Sequence, residues 1–457
     1  MPTPQLRVRP CVLLASATVL GAAVVARLII NGDLATNVLV ALTVALVAGS
    51  AGFVDLLPRS QWTSAGTPAK IGAAVLLAVG AVVPLQLGVS CGPVAVAMAL
   101  GALPLYLWLA LRIDRREREP RRLLVATFLW GACVALSLGV TLESLGSGIV
   151  ESALGGHAGA IFDNSISPGV VEECAKAAVL VIIYRRFRGE FDGVLDGIVY
   201  ATIVGLGFAT TENIGYYGTA LSQGHVSDAA VAFFARGICT PFMHPLLTSL
   251  TGVGLGIASR SSKRSTRAAA PLLGLFAAMV LHGLFDAEQM LGEVAGIVIV
   301  FLVFVPLFVG MLVFIRRTVK AERRTIARYL AADVEAGRLT AVDVDVLACG
   351  RARRRALKAA KRVGGKQARR ALAAFHQAAG ELALLRGRLA EARRACDAGI
   401  AERHERCEAR VSELRGQLGS MAVLPAAIRP APLLHVVVAE RPPHAPHTER
   451  VLATVVA

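Results

Sequence analysis

Residues 168–184, PGVVEECAKAAVLVIIY, combine a run apolar enough to enter a membrane with two glutamates and a lysine. Glu172 and Lys176 are four residues apart, so on a helix they share a face and can pair. Glu173 then points about 100° away, toward a different neighbour. A charged group at the bilayer centre costs about 2.5–3.5 kcal/mol on insertion scales. Such residues therefore usually face a polar cavity rather than lipid.

The rest of the chain fits a membrane setting. Of 457 residues, 55% are apolar and 18% charged, with a mean hydropathy of +0.60. Soluble domains average about 25% charged residues. The net charge of +16 is uneven, because the residues from Arg316 onward hold 28 Lys/Arg against 14 Asp/Glu. The eight cysteines form no C-x-x-C pair. They read as small packing residues rather than a disulfide framework or a zinc knuckle.

A spanning helix needs about 20 mostly apolar residues. Ten segments qualify: 11–30, 36–57, 71–89, 92–111, 123–146, 168–184, 195–217, 230–257, 271–287 and 293–315. The run 11–30 follows Arg7 and Arg9 but is longer than a signal-peptide core, so it reads as the first span. A tight outer turn is expected at Ser90–Pro93. Every second loop is basic, as in RIDRREREPRR (112–122), RRFRGEFDG (185–193) and SRSSKRSTR (259–267). The alternating stretches, including those around 147–167 and 218–229, carry no Lys or Arg. Basic loops mark the cytoplasmic side.

The expected fold is therefore all-α: a polytopic transmembrane helix bundle of about ten spans, both termini cytoplasmic, with a helical cytoplasmic C-terminal extension. The expected parts are N-terminal transmembrane helices over 1–100, a transmembrane core over 101–315, a basic helical cytoplasmic region over 316–418 and a Pro-rich disordered tail over 419–457. The localisation implied is the cell membrane, multi-pass. In the extension, Thr340-x-x-Asp343 offers a capping-box-like helix start. Gly364-Gly365 breaks a helix, and 372–418 reads as a helical hairpin or coiled coil. The basic run RARRRALKAAKRVGGKQARR (351–370) suits a solvated helix face or anionic membrane lipid better than nucleic acid.

Further ionisable groups sit in other apolar segments: Glu212, beside Asn213, in 195–217; Arg236 and His244 in 230–257; His282 and Asp286 in 271–287. Arg236 and His244 are eight residues apart, which on one helix face is about 12 Å. His282 and Asp286 are four apart, so the carboxylate can orient the imidazole. Segment directions let Glu172, Glu173, Glu212, His244 and His282 converge in the outer half of the membrane. A single histidine on an apolar face is usually a satisfied core residue; two histidines with several carboxylates at one depth are the materials of a hydrolytic site.

In this order the residues resemble a known family. E-E-x-x-K (Glu172, Glu173, Lys176), F-x-x-x-E-N (Phe208, Glu212, Asn213), an Arg-containing segment ending in His (Arg236, His244) and H-x-x-x-D (His282, Asp286) are similar to the motifs of PrsW-type intramembrane proteases, relatives of the CAAX-processing prenyl endopeptidases. The resemblance covers roughly residues 100–315. It implies cleavage of a peptide bond of a membrane protein within or near the bilayer, with an anti-sigma factor as one substrate type. It implies Glu172, Glu173, Glu212, His244 and His282 as catalytic, supported by Lys176, Asn213, Arg236 and Asp286. Two mechanisms fit. In one, His244, His282 and Glu173 hold a divalent metal, zinc by preference. In the other, as in the CAAX relatives, a glutamate activates water without metal and the histidines stabilise the oxyanion. Readings of another class are an ion-coupled transporter, since intramembrane Glu and His also form proton relays, and a membrane scaffold or sensor.

Overall fold

The computed structural model describes residues 80–113, 119–223, 226–261, 263–287, 292–391 and 398–420. The expected spans 11–30 and 36–57, much of 71–89 and the tail from 421 onward lie outside these residues. No strand occurs among the described residues, and eleven helices account for most of them. These are α1 (Val82–Ala110), α2 (Arg121–Leu154), α3 (156–186), α4 (Val194–Ser222), α5 (226–239), α6 (Met243–Arg260), α7 (Arg264–Asp286), α8 (293–335), α9 (Ala341–Ala348), α10 (Gly350–Glu391) and α11 (Ala398–Ser420).

Helix α1 is two helices joined at Gly92, whose φ of 80° leaves helical geometry. Gly88 lies beside Val96, with its Cβ position 3.8 Å from the valine side chain. Eight residues along a straight helix would be about 12 Å apart, so the chain folds back here, where the sequence places a tight turn. The second half of α1 runs antiparallel to α4: Ala95 packs with Ile214 and Tyr217, Ala110 with Val199 and Leu206.

Two expectations around the central glutamates are corrected. The stretch 147–167 is not an extended loop: α2 runs to Leu154, reverses at Gly155 (φ 90°), and α3 begins at once. Nor does the helix carrying Glu172 start near Pro168, because α3 is continuous from 156 to 186. A proline inside a helix removes one amide donor and crowds the preceding turn. The backbone relaxes into π turns at Phe162–Ile166 and Pro168–Glu172, widening the helix just before Glu173. Single π turns of this kind often mark functional positions. Glu172 and Glu173 consequently lie in the middle of a long helix rather than one turn inside its end.

Among the described residues, six helices are long and apolar enough to cross a membrane: Val83–Ala110, Arg121–Leu154, Val194–Ser222, Ser227–Arg260, Arg264–Asp286 and Val294–Glu335. The segment 168–184 is not among them, because it carries Glu172, Glu173 and Lys176. Helix α4 is the hub, packed by α1, α2 and α6. Its contact with α6 is close enough that a Cβ on Gly197 would lie 2.1 Å from the Gly252 carbonyl oxygen, which small residues alone permit. The core on the α2–α3–α4 side is Trp130, Val134, Leu180, Tyr200, Val204 and Phe208. Large apolar side chains such as Leu272, Phe276, Phe301 and Leu302 point outward from α7 and α8. Such outward apolar belts are what lipid solvates.

Helix α8 passes without interruption through Arg316 into the extension. Thr340 and Asp343 form the reciprocal cap that starts α9. Helix α10 breaks at Gly364 and Gly365, and α11 packs back along it around Phe375, Leu382, Leu385, Val411 and Leu414. Buried Asp333 joins this body through Arg338 (2.7 Å) and Arg386.

Candidate active site

The ionisable residues of α3, α4, α5, α6 and α7 meet in one buried cluster. Lys176 and Glu173 are fully buried, His282 is 1% exposed, and Glu172 and His244 are each 6% exposed. The Lys176 ammonium is its centre. It donates to Glu172 Oε2 at 2.8 Å and Glu173 Oε1 at 3.1 Å, lies 3.2 Å from His244 Nδ1, and stands 3.8 Å over the Phe208 ring. Lys176 thus binds both glutamates. Glu173 also faces different neighbours, as its direction implies: Oε1 meets His282 at 3.0 Å and Oε2 accepts from Thr248 at 2.9 Å.

Each imidazole has a carboxylate behind it. His282 Nδ1 is 3.0 Å from Glu173 Oε1, and His244 Nε2 is 2.8 Å from Glu212 Oε2. A carboxylate accepts only, so these nitrogens carry the protons, an assignment made from the hydrogen-bond network. The His244 Nδ1 lone pair then faces the Lys176 ammonium. His282 Nε2 lies 3.6 Å from Glu172 Oε2 and 3.3 Å from Asp286 Oδ2. The rings meet edge to face at 5.1 Å. Paired carboxylate and histidine groups of this kind fix tautomer and orientation for metal ligation.

Glu212 is held from its far side. Arg236 Nη2 donates to the same Glu212 oxygen at 2.5 Å and Arg236 Nε donates to Asn213 Oδ1 at 2.8 Å, while the guanidinium stacks 3.6 Å from the Tyr216 ring. Arg236 and His244 do not lie two turns apart on one helix face, as their spacing implies. The helix breaks at 240–242, between α5 and α6, which brings both side chains to one oxygen. The break places His244 at the start of α6. Against it lies α4, where a Cβ at Gly205 would sit 2.7 Å from the Pro245 nitrogen. A cavity of about 30 Å³ beside Asn213, Arg236 and His244 has room for a water.

All nine residues singled out in the sequence are therefore in this cluster. Glu143, on α2, joins them without having been singled out. Its Oε1 is buried with no hydrogen-bond partner. It lies close to Glu172: a Cβ at Gly139 would be 3.5 Å from Glu172 Cγ and 3.8 Å from Glu143 Oε1. The signal for it was present, an acid within the apolar run VTLESLG. Thr248 was also missed, and nothing in the sequence distinguishes it from a packing threonine.

A metal ion would be held by Glu172, His244 and His282, whose ligand atoms lie within 4.8 Å of one another. Glu173, expected among the ligands, is not in this group; both its oxygens are engaged, Oε1 by Lys176 and His282 and Oε2 by Thr248. Two imidazoles and a carboxylate are a donor set of the catalytic zinc type. Charge also fits. Five carboxyls (143, 172, 173, 212 and 286) gather around two permanent cations, Lys176 and Arg236. Unpaired buried charge is costly, so the surplus calls for protons or another cation. The donors already surround one cation, and a metal would require the Lys176 ammonium to swing off His244.

The chain resembles known proteins over the stretch that carries this cluster. The model of the family described as PrsW family intramembrane metalloprotease matches residues 119–311, the span holding every residue of the cluster. The chain is 32% identical to Protease PrsW of Bacillus subtilis (strain 168) over 174 residues, 38% of this chain and 72% of the relative. It is 28% identical to Protease PrsW of Clostridioides difficile (strain 630), covering 42% of this chain and 77% of the relative. For Protease PrsW of Geobacillus kaustophilus (strain HTA426) the identity is 30%, over 38% of this chain and 69% of the relative. No solved structure matches the chain. The chain belongs to the PrsW family: it is a multi-pass, membrane-embedded protease.

Proposed function

We propose that the cluster is the catalytic centre of a metal-dependent endopeptidase that hydrolyses a peptide bond of a membrane protein within or near the bilayer. The observation that carries this reading is the convergence of Glu172, His244 and His282, each imidazole backed by its own carboxylate. A divalent ion, zinc by donor type, would lower the pKa of a bound water to about 7. Glu173 and Glu212 hold the imidazoles with their lone pairs inward. Glu143, whose Oε1 is open, stands where it can take a proton from the attacking water and return it to the leaving amine. Arg236 and Lys176 stand within the cluster, where they can balance charge that develops on the carbonyl oxygen. The substrate is a membrane protein, and a single-span anti-sigma factor fits the family resemblance.

One observation favours a second, metal-free reading. Lys176 already neutralises Glu172 and Glu173 and touches His244. In that case a glutamate activates water and the histidines bind the oxyanion. Metal content of the purified protein, with chelator inhibition and zinc rescue of cleavage, separates the two. Comparative proteomics of membrane fractions from wild type and a Glu172→Gln, Glu173→Gln double variant identifies the substrate. Proteoliposome ion flux dependent on Glu173, with no cleavage, would instead favour a transporter.

A further inference from the structure

A second cavity, far larger than the one at the catalytic cluster, opens where the membrane helices meet the C-terminal body. Its volume is about 1,560 Å³. Ordinary small-molecule pockets are about 300–1,000 Å³. One wall is apolar and belongs to the membrane helices: Leu103, Leu107 and Trp108 of α1, Leu124 and Phe128 of α2, and Ile203 of α4. The other wall is basic. Among the described residues, seven arginines line the cavity against two glutamates. They come from three sources: Arg112 and Arg121 at the basic ends of α1 and α2, Arg323 on α8, and four on α10.

The α10 residues show why that helix is broken. Gly350, Arg353, Arg354 and Leu357 form one helical face before the Gly364–Gly365 break, and Arg369, Arg370, Ala373 and Gln377 form another after it. The break re-aims the second face so that both halves of the polybasic run line one space. Arg112 lies 3.5 Å over the ring of Trp108, and tryptophan favours the level where apolar core meets headgroups. The cavity thus has an apolar half at membrane depth and a cationic half at headgroup depth, on the side of the bundle where basic loops gather.

We propose that this cavity binds an anionic phospholipid of the adjoining leaflet. The phosphate lies among Arg323, Arg354, Arg369 and Arg370, and the acyl chains lie along Leu103, Leu107 and Phe128. The bound lipid bridges the C-terminal body to the protease core. This assignment does not depend on how the catalytic cluster works. Charge complementarity selects the headgroup, and the apolar wall selects a lipid over a free anion.

The test uses full-length protein, purified in detergent, with native mass spectrometry after titration with phosphatidylglycerol, phosphatidylcholine or inorganic pyrophosphate. Wild type should retain phosphatidylglycerol at least about tenfold more tightly than phosphatidylcholine, whose choline cancels the headgroup charge that the arginines attract. The double variant Arg354→Gln, Arg370→Gln should lose that preference. Arg355→Gln, Arg362→Gln removes two exposed arginines of the same helix that do not line the cavity, and should keep it. Leu107→Trp, which fills the apolar half without changing charge, should also lose the lipid. Equal loss in the two arginine pairs would show only a polybasic surface and overturn the cavity assignment. Retention by Arg354→Gln, Arg370→Gln would overturn it as well, as would pyrophosphate binding as tightly as the lipid.

Discussion

At the residue scale, the cluster divides into groups that face the reaction and groups that hold them. Glu172→Gln and His282→Ala are expected to abolish cleavage while membrane insertion, read by protease protection of the loops, stays normal. Glu143→Gln should lower the cleavage rate about 100-fold, the range of a lost general base, with bound metal unchanged. Lys176 makes the sharpest stability case. Removing one partner of a buried ion pair costs about 3–5 kcal/mol because the other charge is left uncompensated. Lys176→Met leaves Glu172 and Glu173 in that position, so its melting temperature in detergent should fall well below wild type. Added zinc should recover part of the loss, since the same donors would then hold a cation. A Lys176→Met protein that melts like wild type would mean the glutamates are not ionised together.

At the element scale, the site depends on three irregularities in otherwise regular helices: the π turns around Pro168, the break at 240–242 and the small-residue contact of α4 with α6. Gly205→Ala places a methyl 2.7–2.8 Å from the backbone of His244 and Pro245. The start of α6 must then shift. A misplacement of about 1 Å can cost about 100-fold in rate, so cleavage should drop far more than melting temperature does. Hydropathy and motif order made the all-helical fold, the turn at Ser90–Pro93 and the nine cluster residues legible in the sequence. Spacing arithmetic went wrong where the helix itself is irregular. Arg236 and His244 are two turns apart only if the helix continues, and Pro168 starts a helix only if no π turn accommodates it. Glu143 and the exchange of Glu173 for Glu172 as ligand depend on which carboxylates are already occupied. That is a property of packing between helices, which periodicity within one helix does not encode.

At the scale of the whole molecule, a membrane core carrying the cluster is joined through α8 to a helical body of α9, α10 and α11. The helical body carries a pH-sensitive group. His376 is buried in the helical body with its Nδ1 unpartnered, and burial together with Arg353 pushes its pKa from the ordinary 6.5 down to about 3. The unfolded chain therefore binds the proton first. His376 costs nothing above pH 6.5, and the body loses stability as pH falls from 6.5 toward 3. Thermal unfolding of full-length protein between pH 7.5 and 5 should show that decline, and His376→Leu should flatten it. The metal content of purified full-length protein, after incubation with zinc and removal of free ion, tests the metal-dependent mechanism most directly. That mechanism predicts one tightly held divalent ion per chain in wild type and loss of that ion in both Glu172→Gln and His282→Ala. Wild-type protein that cleaves its substrate while holding no stoichiometric ion would contradict it and leave the metal-free mechanism in its place.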